Sequence, residues 1–354
     1  METIKITLAN EWEILKQQNP NLRIRNAAIK LGVSEVELLA TKIGGGVTLL
    51  KPEFQKILAE IEPLGKVMAL TRNNDVVHER KGTYLNPNLD SPMVGLFVGK
   101  DIDLRIFFHV WKFVFAVTEG ENENIRHSLQ FFALDGEALH KIYLTPTSDL
   151  KKYKDLVEKY KSENQNTEIK TEPWTAKTSE LPDNEINFKE FKKEWLNLKD
   201  THAFFGIIKK YKLTRTQALR LAPEGGYAVK VKNSILKNVL LQASSREVSI
   251  MVFVGNKGMI QIHTGTVNKI VEHNSWLNVL DPGFNLHVKE ESIFESWIVR
   301  KPTEDGIVTA LEVFNKEGEQ ITQLFGKRKP GVPELESWSK LIADLEIQEI
   351  LNRI

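Results

Sequence analysis

The chain of 354 residues contains no cysteine. That absence excludes disulfides, thiolate metal sites, cysteine nucleophiles and any cofactor tethered through a cysteine thioether. Charge of one sign is missing too: 48 basic residues stand against 47 acidic ones, a net charge of +1. A general nucleic-acid binder needs surplus cations to displace counterions from phosphates, so that class is disfavoured, although a local basic pocket is not. No stretch approaches the roughly 20 apolar residues that span a bilayer. The opening segment, METIKITLANEWEILK, is charged throughout and lacks the apolar stretch of a secretion signal, so a cytoplasmic address is expected. Also absent are Gly-x-Ser-x-Gly, a phosphate loop ending in Gly-Lys-Ser/Thr, and a histidine pair at zinc-ligand spacing beside a glutamate. Gly44-Gly45-Gly46 reads only as a turn.

What is present is a repeat. LGVSEVELLA starts a helix with Ser34-x-x-Glu37, and YKLTRTQALRLA starts another with Thr214-x-x-Gln217. Both spacings predict a capping box, in which the hydroxyl meets a free amide of the first turn and the longer side chain reaches back. Ser34 and Thr214 are 180 positions apart, Gly82 and Gly265 are 183, and Arg105 and His287 are 182. The turns Asp135-Gly136-Glu137 and Glu317-Gly318-Glu319 are again 182 apart. Four anchors at nearly one offset point to two diverged copies of one module.

Residues 161–187 are polar, poor in aliphatics and read as a linker between an N-terminal copy at 1–160 and a C-terminal copy at 188–354. Just before it, DLKKYKDLVEKYK predicts an amphipathic surface helix over 149–161. Each copy reads as helices followed by a meander of strands with alternating apolar positions, an α+β fold with largely antiparallel sheets. RNAAIKLGVSEVELLA resembles a helix-turn-helix, but Glu35 and Glu37, expected on its outer side, would be repelled by phosphates. A packed helix pair is the expectation.

Several single residues stand out. His202 opens a helix in DTHAFFGIIKK, with Asp200 or Thr201 as the expected cap and Phe204 and Phe205 beside it. Such a histidine is either a core group or a ligand. In IDLRIFF, alternation puts Leu104 and Ile106 on one face and Asp103, Arg105 and Phe107 on the other. Arg105 there is either a surface cation paired with Asp103 or part of a ligand pocket. Arg300-Lys301 and Lys327-Arg328-Lys329 are expected to be surface charge. Arg215 lies in the first turn of its helix, where a cation opposes the macrodipole, so an anion is expected nearby.

Taken together, LRIRNAAIKLGVSEVELLA, DIDLRIFF, SLQFFALDG, DTHAFF, IMVFVGNKG, WLNVLDPGFNLH, VRKPTEDG and FGKRKPGVPE make the chain resemble bacterial haem-utilisation proteins of the HemS/ChuS, hemin-degrading type. The resemblance implies a cytoplasmic protein of iron acquisition that holds one noncovalent, b-type haem in a cleft involving both halves. It implies His202 as the proximal ligand to the haem iron, Arg105 as the distal and tentatively catalytic residue, and Phe107 as lining. Arg215, Lys301, Gln323 and Arg328 are implied at the haem propionates. The implied partners are haem and a haem importer or haem-accepting protein, with no nucleic acid and no embedding in a membrane. Two activities fit: oxygenase-like degradation with an external electron donor, or carriage of intact haem. Arg105 aligns with His287 and His202 with Leu22, so the site residues are not themselves repeated and one asymmetric site is expected. His78, His140, His263 and His287 are expected to be structural.

Overall fold

The computed structural model describes residues 7–166, 168–174, 179–329 and 331–351. The first six residues of the opening segment and positions 167 and 175–178 of the linker lie outside the described residues. The first half of the chain contains helices α1 (Leu8–Gln18), α2 (Ile24–Leu31), α3 (Glu35–Ala40), α4 (Phe54–Ala59) and α5 (Leu150–Tyr160). Its strands are β1 (Val47–Leu49), β2 (Val67–Arg72), β3 (Val76–Gly82), β4 (Pro87–Asn88), β5 (Val94–Val98), β6 (Asp103–Phe107), β7 (Trp111–Glu119), β8 (Arg126–Ala133) and β9 (Ala138–Leu144). The second half contains α6 (Phe188–Leu196), α7 (Ala203–Lys210), α8 (Arg215–Arg220), α9 (Ile235–Ser245) and α10 (Glu336–Leu351). Its strands are β10 (Ala228–Val231), β11 (Ile250–Asn256), β12 (Met259–Gly265), β13 (Ile270–His273), β14 (Trp276–Leu280), β15 (Phe284–Lys289), β16 (Glu295–Thr303), β17 (Gly306–Phe314) and β18 (Gln320–Gly326). The α+β class with antiparallel sheets is as expected.

Two compact units result, Met1–Thr71 with Arg80–Thr175 and Asn256–Ile260, and Arg72–Glu79 with Ala176–Gly255 and Gln261–Ile354. In the first, β1-β7-β8-β9-β2 run antiparallel in that order. A meander of β4, β5 and β6 accompanies them. The core joins Leu104 and Ile106 of β6 to Trp111, Phe131, Tyr84 and Phe97, with Tyr153 and Leu156 of α5 packed in. Asp149 caps α5 by accepting the Lys152 amide. The helix pair α2–α3 buries Ala27, Ala28 and Leu38 against Trp12 of α1.

The second unit repeats the plan as β10-β16-β17-β18-β11, with a β13-β14-β15 meander. Alternation along β16 and β17 divides its core in two. Ile298, Leu311 and Leu324 pack under α9 and α10, with Leu236, Val239, Trp338 and Leu341. Trp297, Val299 and Phe314 pack under α6, α7 and α8, with Phe191, Trp195, Phe204, Ile208 and Leu219.

Both expected caps form at the hydroxyl. Ser34 Oγ accepts the Glu37 amide at 3.3 Å, and the Glu37 carboxylate accepts the Ser34 amide at 2.9 Å. Thr214 Oγ1 accepts the Gln217 amide at 3.1 Å. The second box is only half made, because Gln217 Nε2 donates instead to Leu181 O and Asp183 Oδ1 at 2.7 and 2.8 Å. Glu35 also departs from expectation. It is buried rather than outward, where Lys141 Nζ meets its carboxylate at 2.7 Å.

Candidate functional site

Helix α7 is short and two-sided. Phe204 and Ile208 are buried, while Phe205, on the other side, is exposed. His202 is its N-cap residue, and neither Asp200 nor Thr201 caps the helix as expected. The Asp200 carboxylate turns to His202 itself: Oδ1 accepts the His202 amide at 2.8 Å and lies 2.7 Å from ring Nδ1. Those contacts, the backbone one first, hold the Asp200 carboxyl below its usual range. Nδ1–H donated to a carboxylate selects the tautomer with its lone pair on Nε2, the form that ligates a metal. The imidazole is open to approach, with 88% of the side chain exposed.

Two residues on, the Phe204 ring carries two cations. The Arg215 guanidinium carbon is 4.7 Å from its centroid and Lys301 Nζ is 4.9 Å away. Both bind Glu312 of β17. Arg215 Nε and Nη2 donate to its two oxygens at 2.8 and 2.5 Å, and Lys301 Nζ donates at 2.9 Å. Gln320 and Gln323 add contacts at 3.0 and 3.3 Å. The anion expected near Arg215 is thus present within the protein. Burial would raise the Glu312 carboxyl, but Arg215 and Lys301 overcome it and hold the group down at about 2. Lys301 is pushed down to about 8, by burial first and by Arg215 second.

The pleat separates Arg300 from Lys301, which were expected together as surface charge. Lys301 shares the Phe204 face and is only 3% exposed. Arg300 points to the other side, bound to Glu346 of α10 and to Gly226 O. Arg328 stands beside the histidine segment, where its charge helps to lower Asp200. Its Nη2 lies 3.9 Å from the Asp305 carboxylate, and its buried Nε finds no acceptor among the described residues. The second unit therefore gathers Arg215, Lys301 and Gln323 on Glu312, with the two cations over Phe204. His202 opens the helix that carries Phe204, with Arg328 near its partner Asp200.

In the first unit, β6 alternates as read: Leu104 and Ile106 are buried, and Asp103, Arg105 and Phe107 are half-buried. Arg105 Nη1 donates to Asp103 Oδ1, and also to Leu104 O at 3.1 Å. Burial raises the Asp103 carboxyl, with Arg105 opposing it. Across the ladder Val94, Leu96 and Val98 sit opposite Phe107, Arg105 and Asp103, adding an apolar surface to that face. Val94 and Val98 are exposed. Sequence reading passed over these valines, although the alternation in MVGLFV signals them.

Four further histidines, His78, His140, His263 and His287, have packing or hydrogen-bond roles within the fold. His140 is buried between Tyr84 Oη at 2.6 Å and Thr71 Oγ1 at 2.9 Å. His263 stacks on Phe284 with centroids 3.7 Å apart, and His287 Nδ1 lies 2.7 Å from Asn278 Oδ1. His78 packs on the same Phe284 ring at 5.0 Å.

Among the described residues no helix is long and apolar enough to cross a membrane. The haemin-degrading HemS/ChuX domain model matches residues 32–160 and 212–345, one segment in each copy. Hemin transport protein HemS of Yersinia enterocolitica is 38% identical over 335 residues, which is 95% of this chain and 96% of that protein. Holo-PhuS, a heme-binding protein from Pseudomonas aeruginosa, aligns with a TM-score of 0.92 at 43% identity, covering 94% of this chain and 96% of its own. ChuS, described as an E. coli heme oxygenase, aligns with a TM-score of 0.85 at 36% identity, covering 96% and 99%. Matched along both copies and nearly end to end, this chain belongs to the haemin-degrading HemS/ChuX-domain family.

Proposed function

We propose that the chain binds one noncovalent, b-type haem through His202 and degrades it in iron acquisition, drawing electrons from an external donor. The observation that carries this reading is the exposed His202 imidazole, its Nδ1 held by Asp200, with Nε2 left as the donor atom. Neutral imidazole is an established iron ligand for haem. Arg215, Lys301 and Arg328 supply charge-assisted hydrogen bonds for two propionates, while the exposed Phe205 supplies aromatic surface near the histidine. Arg105 is the proposed distal group, with Phe107 lining the same side. Haem supplies the redox chemistry when bound, and the chain supplies the ligand, its orientation and the polarity around it. The place of action is the cytoplasm, with imported haem as substrate.

A second reading, delivery of intact haem to an acceptor protein, is favoured by the exposure of His202, since a ligand at an open helix terminus is accessible to exchange. One preparation separates the readings. Hemin titration should give a Soret shift that His202→Ala weakens or alters; an unchanged spectrum and affinity would overturn the ligand assignment. A reductant is then added in air, with catalase present to remove free peroxide. Loss of the Soret band with a defined tetrapyrrole product and released iron supports degradation. A stable complex that passes its haem to an acceptor supports carriage.

A further inference from the structure

The two copies repeat their strand register as well as their order. On the β8–β9 hairpin Gln130 is opposite Lys141, and the register shifts between Phe131 and Phe132. On β17–β18 Glu312 is opposite Gln323, and the register shifts between Val313 and Phe314. Glu35 and Arg215 each follow the capping hydroxyl of a helix, at the first helical position of α3 and α8. Two equivalent seats therefore exist, one in each unit, each made from a helix start and a strand pair. Their charges are exchanged: Glu35, Gln130 and Lys141 in the first correspond to Arg215, Glu312 and Gln323 in the second.

We infer that Glu312 is a positioning residue that makes the second seat a carboxylate receptor, whereas the exchanged charges close the first seat to carboxylates. In the second seat, two cations gather on one phenylalanine ring and repel each other. Glu312, fully buried, lies where it binds both and fixes their directions. It commits two of the five guanidinium N–H groups and one of the three ammonium N–H groups, so both cations retain donors for a further anion. Arg215 is 23% exposed at its side chain, which leaves the receptor a way in. Two cations and one carboxylate leave this seat with a single positive charge. In the first seat Lys141 is already met by Glu35 at 2.7 Å, and both are buried. That pair is self-neutralised, and an entering carboxylate would meet the Glu35 carboxylate at the helix start.

The inference rests on the reading that Arg215 and Lys301 receive the haem propionates, and the test keeps the two apart. Hemin and hemin dimethyl ester, whose propionates are blocked, are titrated into the full chain by Soret absorbance. If the wild type binds the ester as tightly as hemin, the propionate reading itself fails. If hemin is preferred, Glu312→Gln decides the role of the carboxylate. Removing a negative charge would tighten hemin binding were Glu312 only a competitor for the cations. As a positioning residue, its loss should weaken hemin by on the order of tenfold, a charged hydrogen-bond network's worth, and leave the ester unaffected. Glu312→Asp keeps the charge but shortens the reach, and should also lose selectivity for hemin over the ester. It serves if Glu312→Gln does not fold. Unchanged or tightened hemin binding in these variants overturns the inference for Glu312. Lys141→Met should leave hemin affinity and a stoichiometry of one haem per chain unchanged. A selective loss of hemin over ester in that variant would overturn the closed first seat.

Discussion

The Asp200 carboxylate holds His202 at two points with one oxygen, at the backbone amide and at ring Nδ1, 2.8 and 2.7 Å away. The first contact sets where the residue sits at the start of α7, and the second sets which way its ring faces. A carboxylate on Nδ1–H also makes Nε2 a stronger electron donor. Asp200→Ala should therefore weaken hemin binding by about tenfold or more. It should also raise the reduction potential of the bound iron, because a poorer donor stabilises the ferric state less. Soret titration and spectroelectrochemistry check both. An unchanged potential with weakened binding would mean that Asp200 only braces the backbone.

Lys301 carries a pH dependence whose sign follows from its burial. Its ordinary value is 10.5, and burial with Arg215 pushes it down to about 8. A bound carboxylate favours the charged form, so hemin binding takes up a proton once the free protein has lost it. Hemin affinity should fall as pH rises through about 8 and stay flat below. Lys301→Arg should remove that dependence, since a guanidinium remains protonated. Titrations across the alkaline range, compared with the dimethyl ester, separate this effect from changes in the iron's other ligands. A flat wild-type profile would remove Lys301 from the binding site.

Much of the fold was legible because periodicity and turns carry it. Ser34 and Thr214 marked two helix starts, and Gly136 and Gly318, both in the left-handed region at φ 83° and 71°, marked two hairpin turns. The alternation in DLRIF is enough to put Arg105 and Phe107 on one face of the strand. Partner choice was less legible. Whether Glu35 points to water or to Lys141 depends on strands about a hundred residues away, and local spacing holds no record of that. Glu312 left a weak signal, a lone carboxylate in the apolar strand GIVTALEVF. Arg300 and Lys301 are adjacent in sequence, yet the pleat sends one to Glu346 and the other to Glu312.

The core of the first unit should be sensitive to acid through His140. It is fully enclosed, and burial lowers its pKa from 6.5 to about 3, against a smaller raising effect from the Leu70 backbone. The unfolded chain takes a proton near its ordinary value, while the folded chain does not until far lower pH. Stability attached to this group is therefore present above about pH 6.5 and is lost as pH falls toward about 3. Between neutrality and pH 5 the loss is about 2 kcal/mol. Urea unfolding at pH 7 and pH 5 should show it, and His140→Gln, though less stable at neutral pH, should flatten the slope. An equal slope in both proteins would assign the acid sensitivity elsewhere.

Arg105 poses the sharpest choice between a structural and a functional cation. Its guanidinium already has Asp103 and the Leu104 carbonyl as partners, and about a third of the side chain, 34%, is exposed. An ion pair this exposed contributes little to stability, on the order of 1 kcal/mol or less. Arg105→Ala should therefore fold with a melting temperature within a few degrees of the wild type. As the proposed distal group it makes no bond to iron, so hemin affinity should change only a few-fold. What should change is the sixth coordination position of bound hemin, read in the visible bands and by resonance Raman, and the course of the reductant-driven reaction in air. Asp103→Asn is the companion variant: it frees the guanidinium without removing it and should leave those bands closer to wild type than Arg105→Ala does. Loss of folding in Arg105→Ala would make the residue a structural partner of Asp103, and wild-type spectra in a folded Arg105→Ala would remove it from the distal side.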